Sequence, residues 1–367
     1  MKLKRLRKAI FVVFLCLLML GYLAHNLWMM PVLEITLIRL TALFGIIMLL
    51  VVGMPDRGIG LPILVIGMVA LMGGPTSGIS LGILFLCLTV LALRKLPVEF
   101  LASSSAYVLG ITVALSLLFV YIGVLVSEED VVSNPLELGG DIRSRMTFGY
   151  RNVNAFGGLV SGFCLLLMMA GKQTIARYAI ALVVTYVIYV YTDSRAMILA
   201  VLSFIAFTAI FLLIRKSSRF LIALSVFTLI TPVMLTILAS EVMSNAPLLD
   251  FVLSGRLTFV SLFFSEIPAY RFLLGGAEPA DGITVDNSFA LLSGAIGIPL
   301  LIYVSYITFQ RVIRCINEGD FRTYSFLLAF WSYSFTESSM LRPESIVCIV
   351  FWVLILRPEP VITHGKY

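Results

Sequence analysis

Apolar runs of roughly 15–25 residues recur along this chain, from "AIFVVFLCLLMLGYLA" near one end to "SIVCIVFWVLIL" near the other, and polar residues gather between them. A bilayer-spanning helix needs about 20 predominantly apolar residues. The strands of a membrane barrel would instead alternate over short segments, so a β-barrel is excluded. The pattern predicts an all-α, polytopic membrane protein forming a single membrane domain over residues 1–367. Twelve spans are expected, at about 9–29, 33–52, 59–73, 77–93, 100–126, 153–171, 175–191, 195–214, 219–240, 287–309, 322–337 and 344–356.

The basic start "MKLKRLRK" followed by an apolar run has the form of a signal peptide, but no small-x-small cleavage site follows it. An uncleaved first span is expected, held by Lys2, Lys4, Arg5, Arg7 and Lys8. With that basic end in the cytoplasm, an even span number puts both termini there, in the cytoplasmic (inner) membrane. Of 26 Lys and Arg residues, 18 then lie in inner segments, and seven lie outside: Arg143, Arg145, Arg151, Arg195, Arg256, Arg271 and Arg342. All seven lysines are inside. Orientation needs inner positive charge of either kind, so the arginine-only outer set points to another use. Arginine's planar fork matches carboxylate and phosphate oxygens two at a time.

Composition sharpens this in two places. Of 367 residues 60% are hydrophobic and only 13% charged, about half the charge of a soluble domain. The net charge of +6 is accounted for by basic inner loops, so no nucleic acid partner is implied. Cys16, Cys87, Cys164, Cys315 and Cys348 show no CxxC spacing, and neither a disulfide nor a metal site is expected.

Two expected outer segments are long, residues 127–152 and 241–286. Loops carried on a rigid helical scaffold are where function concentrates. In the second, Leu257, Val260, Phe263 and Phe264 recur at helical spacing, which predicts a short amphipathic helix with its apolar face in lipid. Pro268 ends it, and Gly275-Gly276 open a turn.

Each candidate residue carries two readings. Arg145, Arg151 and Asn154 cluster where the sixth span begins. They are either solvated loop groups paired with Asp141, Glu137 or lipid headgroups, or an anion site at a helix N-terminus. In "YTDSRAMILA", Asp193 or Ser194 reads as a helix cap, while Arg195 opposes the helix dipole and calls for an anionic partner. Asp286 reads as an N-cap or as a functional carboxylate entering the tenth span with Asn287. Glu337, Arg342 and Glu344 share one turn, where a local ion pair is the default. Glu34 and Arg39 sit within or beside the second span. No Walker loop, usable GxGxxG or DxD pair supports nucleotide chemistry.

Taken in order, "RMTFGYRNVNAFGG", "TDSRAMILA" and "LSGRLTFVSLFF…RFLLGGAEPADGITVDNSFALLSGAIGIPLL" resemble the O-antigen and capsular polysaccharide polymerases, the Wzy-type members of the O-antigen polymerase and ligase superfamily. The resemblance covers about residues 140–300. The ligases carry a histidine where this chain has Asp286, which favours polymerase over ligase. The usual Gly-x-Gly is replaced by Gly275-Gly276-Ala277.

The resemblance implies a membrane glycosyltransferase of GT-C-like architecture, metal-independent and without a cofactor. It would transfer a growing glycan from polyprenyl diphosphate to the next lipid-linked repeat unit at the outer face. Its partners would be the polyprenyl-diphosphate-linked oligosaccharide, membrane lipid, and a chain-length regulator and flippase of the same pathway. Arg256 and Arg271 are then assigned to the donor diphosphate, and Arg145, Arg151 and Arg195 to the acceptor diphosphate or the donor's second phosphate. Asn154 and Asn287 are assigned to substrate binding. Asp286 first, and Glu337 second, would orient or deprotonate the acceptor hydroxyl. A ligase acting on another acceptor and a lipid-linked sugar transporter remain the alternatives.

Overall fold

The computed structural model describes residues 2–26, 40, 44, 47, 78–93, 96–125, 129–132, 143–150, 153–171, 174–245, 247–253, 255–268, 270–277, 285–342 and 345–356. Helix dominates. In chain order the helices are α1 (Lys2–Asn26), α2 (Gly78–Leu93), α3 (Val98–Tyr121), α4 (Val153–Met169), α5 (Ile175–Thr192), α6 (Arg195–Ile214), α7 (Ser218–Ile237), α8 (Ala239–Asn245) and α9 (Pro247–Val252). They continue with α10 (Arg256–Glu266), α11 (Arg271–Leu274), α12 (Ser288–Ile296), α13 (Ile298–Glu318), α14 (Phe321–Thr336) and α15 (Ile346–Leu356). Between α3 and α4, β1 (Glu129–Val132) and β2 (Arg143–Met146) pair antiparallel, with Asp130 opposite Arg145.

Five helices among the described residues are long and apolar enough to cross a bilayer: Arg5–Leu23 within α1, α3, α5, α6 and α7. Val153–Met169 and Ile346–Leu356 are apolar but shorter. The expected twelve are therefore not all present as single spanning helices. Those at 33–52 and 59–73 lie outside the described residues. The one at 287–309 is two helices, because Gly297 takes a φ of 80° that ends α12, and Pro299 lies in the first turn of α13. Proline at a helix start removes a donor that has no partner there anyway. As a result Arg311 and Arg314, expected on an inner connection, lie in the second half of α13.

The fold divides into two compact units. In the first, α3 packs on α1 and α4, and α4 packs on α5. Small residues permit the close approach: a Cβ at Gly110 would sit 2.8 Å from the Phe163 ring. In the second, α13 and α14 pack on each other and on α7, with α12 set among them. All nine residues of α12 are buried.

The helix expected on the lipid surface is present as α10, but Leu257, Val260 and Phe263 are turned into the protein, each at most 1% exposed. Phe263 fills the space left by Gly294 of α12, where a Cβ would lie 2.6 Å from its ring. The apolar stripe was legible; its partner is protein because a glycine hole on α12 receives the phenyl ring.

Candidate functional site

In the second unit, the buried α12 organises the expected site residues. Its first-turn donors are met by Asn287, whose Oδ1 accepts from Phe289 N at 2.9 Å and Ala290 N at 3.0 Å. The Asn287 Nδ2 donates to Thr236 Oγ1 at 3.1 Å. The N-cap is thus Asn287 and not Asp286, and the buried Asn287 amide is engaged at both ends. At the other end of α12, Gly276 N donates to Ala295 O at 3.0 Å and Ala277 N to Gly294 O at 2.9 Å. The Gly275-Gly276-Ala277 turn therefore satisfies carbonyls that the helix break leaves open, as a low-dielectric setting demands. Gly275 has to be glycine: its φ is 78°, and a Cβ would lie 2.5 Å from Ala295 O.

Around the start of α12, three distant segments meet. Glu337 follows the last residue of α14 in an extended conformation. Its carbonyl accepts from Ser288 Oγ at 2.6 Å, and the same hydroxyl accepts from Met340 N at 3.0 Å. Its carboxylate Oε1 accepts from Arg256 Nη2 at 3.4 Å. Arg256 is the first residue of α10, where Nη1 also donates to Leu253 O at 3.3 Å. The start of α10 is pinned by Asp250, which accepts from Leu257 N at 2.8 Å and from Thr258 Oγ1. Glu337 is thus joined to a residue 81 positions away, and the Arg342 guanidinium in the same turn donates to Ser338 Oγ.

Glu337 is 4% exposed. Burial pushes its carboxyl up to about 8, and the charge of Asp286 adds to this, while Arg256 and Arg342 pull the other way. Two carboxylates and two guanidiniums thus share one corner. Arg256 Nε is buried there without a partner, so one donor is left for an incoming acceptor. Arg271 stands apart. Its Nη1 donates to Gly276 O at 2.9 Å, which ties it to the far end of α12, about 10 Å along the axis from Ser288.

In the first unit, Arg145 of β2 reaches Asp193 at 3.7 Å. Asp193 does not start α6; it C-caps α5 in the left-handed region, with a φ of 46°. Here too the arginine Nε is buried and unpartnered. The intervening "TFGY" is a tight turn, with Phe148 stacked on Phe156 at 4.7 Å and Tyr150 bonded to Ser116 at 2.8 Å. Gly157 lets the α5–α6 turn approach α4, since a Cβ there would lie 2.6 Å from Ser194 Oγ. The motifs "NAFGG" and "TDSRA" are thereby brought together. Asn154 is half-buried in the first turn of α4, and Arg195 is exposed as the first residue of α6.

No protein-family model matches the chain, and neither does any curated protein or solved structure. Function therefore rests on the residues themselves. Among the described residues, no group of three or more His, Cys, Asp or Glu side chains stands close enough to hold a metal ion. Arg151, Glu344, Glu34 and Arg39 lie outside the described residues. Asp250, Thr236 and Ser288 position the site and were not anticipated. Asp250 lies seven residues ahead of Leu257, whose N–H it accepts, beyond the reach of a local capping pattern.

Proposed function

We propose that this protein polymerises polyprenyl-diphosphate-linked oligosaccharide repeat units at the outer face of the cytoplasmic membrane, on a polytopic, GT-C-like plan. The observation that carries the reading is the part-buried contact of Arg256 with Glu337, residues 81 apart in the chain, beside the capped start of α12. A proton acceptor with raised affinity and a guanidinium with a spare donor are what such a transfer needs in one place.

The acceptor hydroxyl gives its proton to the Glu337 carboxylate, and its oxygen bonds to the anomeric carbon of the donor. The bond from that carbon to the diphosphate oxygen breaks, and the electron pair leaves on the diphosphate. Arg256 meets the developing charge, which preorganised donors stabilise without reorganisation. Arg271, reaching from the other end of α12, holds the second phosphate. Arg145, Arg151 and Arg195 bind the acceptor's diphosphate. Glu337 takes precedence over Asp286 as base because it touches Arg256 and holds its proton near neutral pH.

Complementation of a polymerase-deficient strain tests the arginine roles. R256K and R271K keep the charge but lose the fork, and each is expected to cut polymer formation by about 10²-fold, the loss seen when an oxyanion donor is removed. Full-length polymer from both variants at normal protein levels contradicts the diphosphate assignment.

A further inference from the structure

Arginine is an unfavourable residue with which to open a helix. As the first residue of α10, Arg256 sets its cation against the positive end of the helix dipole. The residue before it gives no help. Gly255 stands at the N-cap position in the left-handed region, with a φ of 75°, and has no side chain to accept from the first-turn N–H groups.

Asp250, on α9, supplies what Gly255 lacks. Its Oδ1 accepts from Leu257 N at 2.8 Å and from Thr258 N at 3.3 Å, and its Oδ2 accepts from Thr258 Oγ1. Its backbone carbonyl accepts from Gly255 N at 2.8 Å. One residue thus grips the chain on both sides of Arg256. Asp250 is 6% exposed, and among the described residues it is met by N–H and O–H donors and forms no ion pair. The dipole that disfavours Arg256 favours a carboxylate at this helix start.

We infer that Asp250 is a positioning residue for Arg256: by capping α10 from outside it, the carboxylate fixes the helix start from which the guanidinium reaches Glu337. Its effect on rate rests on the proposed reaction, whereas the placement of Arg256 can be measured without substrate. Arg256 Nη2 lies 3.4 Å from Glu337 Oε1, at the long end of hydrogen-bond range, so a small drift of the helix start breaks the contact. Glu337 reports that drift. The charges acting on its carboxyl are Asp286, Arg256 and Arg342, and Arg256 pulls its proton affinity down. Losing the contact therefore moves release of the Glu337 proton to higher pH. Deleting a nearby negative charge would by itself move it to lower pH, so the sign separates positioning from plain electrostatics.

The test follows the melting temperature in detergent across pH, taking the part of the curve that E337Q abolishes. Asp250→Ala is expected to move that part to higher pH, as Arg256→Met does, and to move it no further when the two are combined. In polymer formation Asp250→Ala should lose about 10²-fold in kcat, the size of effect that a 1 Å misplacement produces. A melting temperature lowered equally at every pH, with the Glu337 part unmoved, overturns the inference and leaves Asp250 a helix cap. So does a shift that persists in full on top of Arg256→Met. Should Asp250→Ala fail to accumulate, Thr258→Val strips the second carboxylate oxygen of its donor, and an unmoved Glu337 part in that variant overturns the inference too. A shift in Asp250→Ala, from a wild type that joins no glycan, supports the positioning and overturns the polymerase reading.

Discussion

A carboxylate buried beside guanidiniums is pulled in opposite directions, and at Glu337 burial wins. The folded protein holds this proton up to about pH 8, while the unfolded chain releases it in the ordinary carboxylate range. Between those two values the folded state binds more protons, so stability falls as pH rises through that interval. E337Q is expected to flatten this part of the curve, measured by thermal unfolding in detergent across pH. Catalysis runs the other way, because the base must be deprotonated: the rate should climb with pH and level off above about 8. E337Q should lose that limb along with about 10²–10⁴-fold of rate. A wild-type profile flat from pH 6 to 9 would remove Glu337 from the role. The sequence marked Asp286 first and Glu337 second as candidates, and the proposed reaction exchanges them. What separates them is a contact between Arg256 and Glu337 across 81 positions, which no local pattern encodes.

At the scale of elements, α12 is the piece on which the candidate site depends. Its start is capped by Asn287, and its end is closed by the Gly275–Ala277 turn and Gly297. Asn287→Ala removes a buried cap and should cost about 1 kcal/mol. Gly297→Ala should cost more, about 1–3 kcal/mol, because φ is 80° and a Cβ would lie 2.5 Å from Leu273 O. Thermal unfolding of both variants checks the order; an unchanged melting temperature for Gly297→Ala would deny the break its structural role. The existence of α10 was legible from Leu257, Val260 and Phe263, since three- and four-residue spacing survives whatever covers the face. The break at Gly297 was not, because "GAIGIPLL" is continuously apolar and hydropathy does not register a change of φ. Asp193 misled for a related reason: the same residue type serves at a helix start and in the left-handed C-cap it adopts in this fold.

For the whole molecule, the apolar pattern read correctly as helical, and five helices among the described residues are long and apolar enough to cross a bilayer. The sequence did not mark the break at Gly297, which divides one expected span into the buried nine-residue α12 and the 21-residue α13, and two further expected spans lie outside the described residues. What the two units share is chemical: each presents an arginine, Arg145 or Arg256, paired with a carboxylate and keeping a buried Nε unmatched. The proposed reaction moves a glycan from one polyprenyl diphosphate to the next lipid-linked unit. Incubation of the purified protein in liposomes with a polyprenyl-diphosphate-linked repeat unit, and no nucleotide, tests this most directly. A ladder rising in single repeat-unit steps is the predicted result. Transfer only to a different added acceptor, or passage of the labelled lipid across the bilayer with no glycan joined, would contradict it.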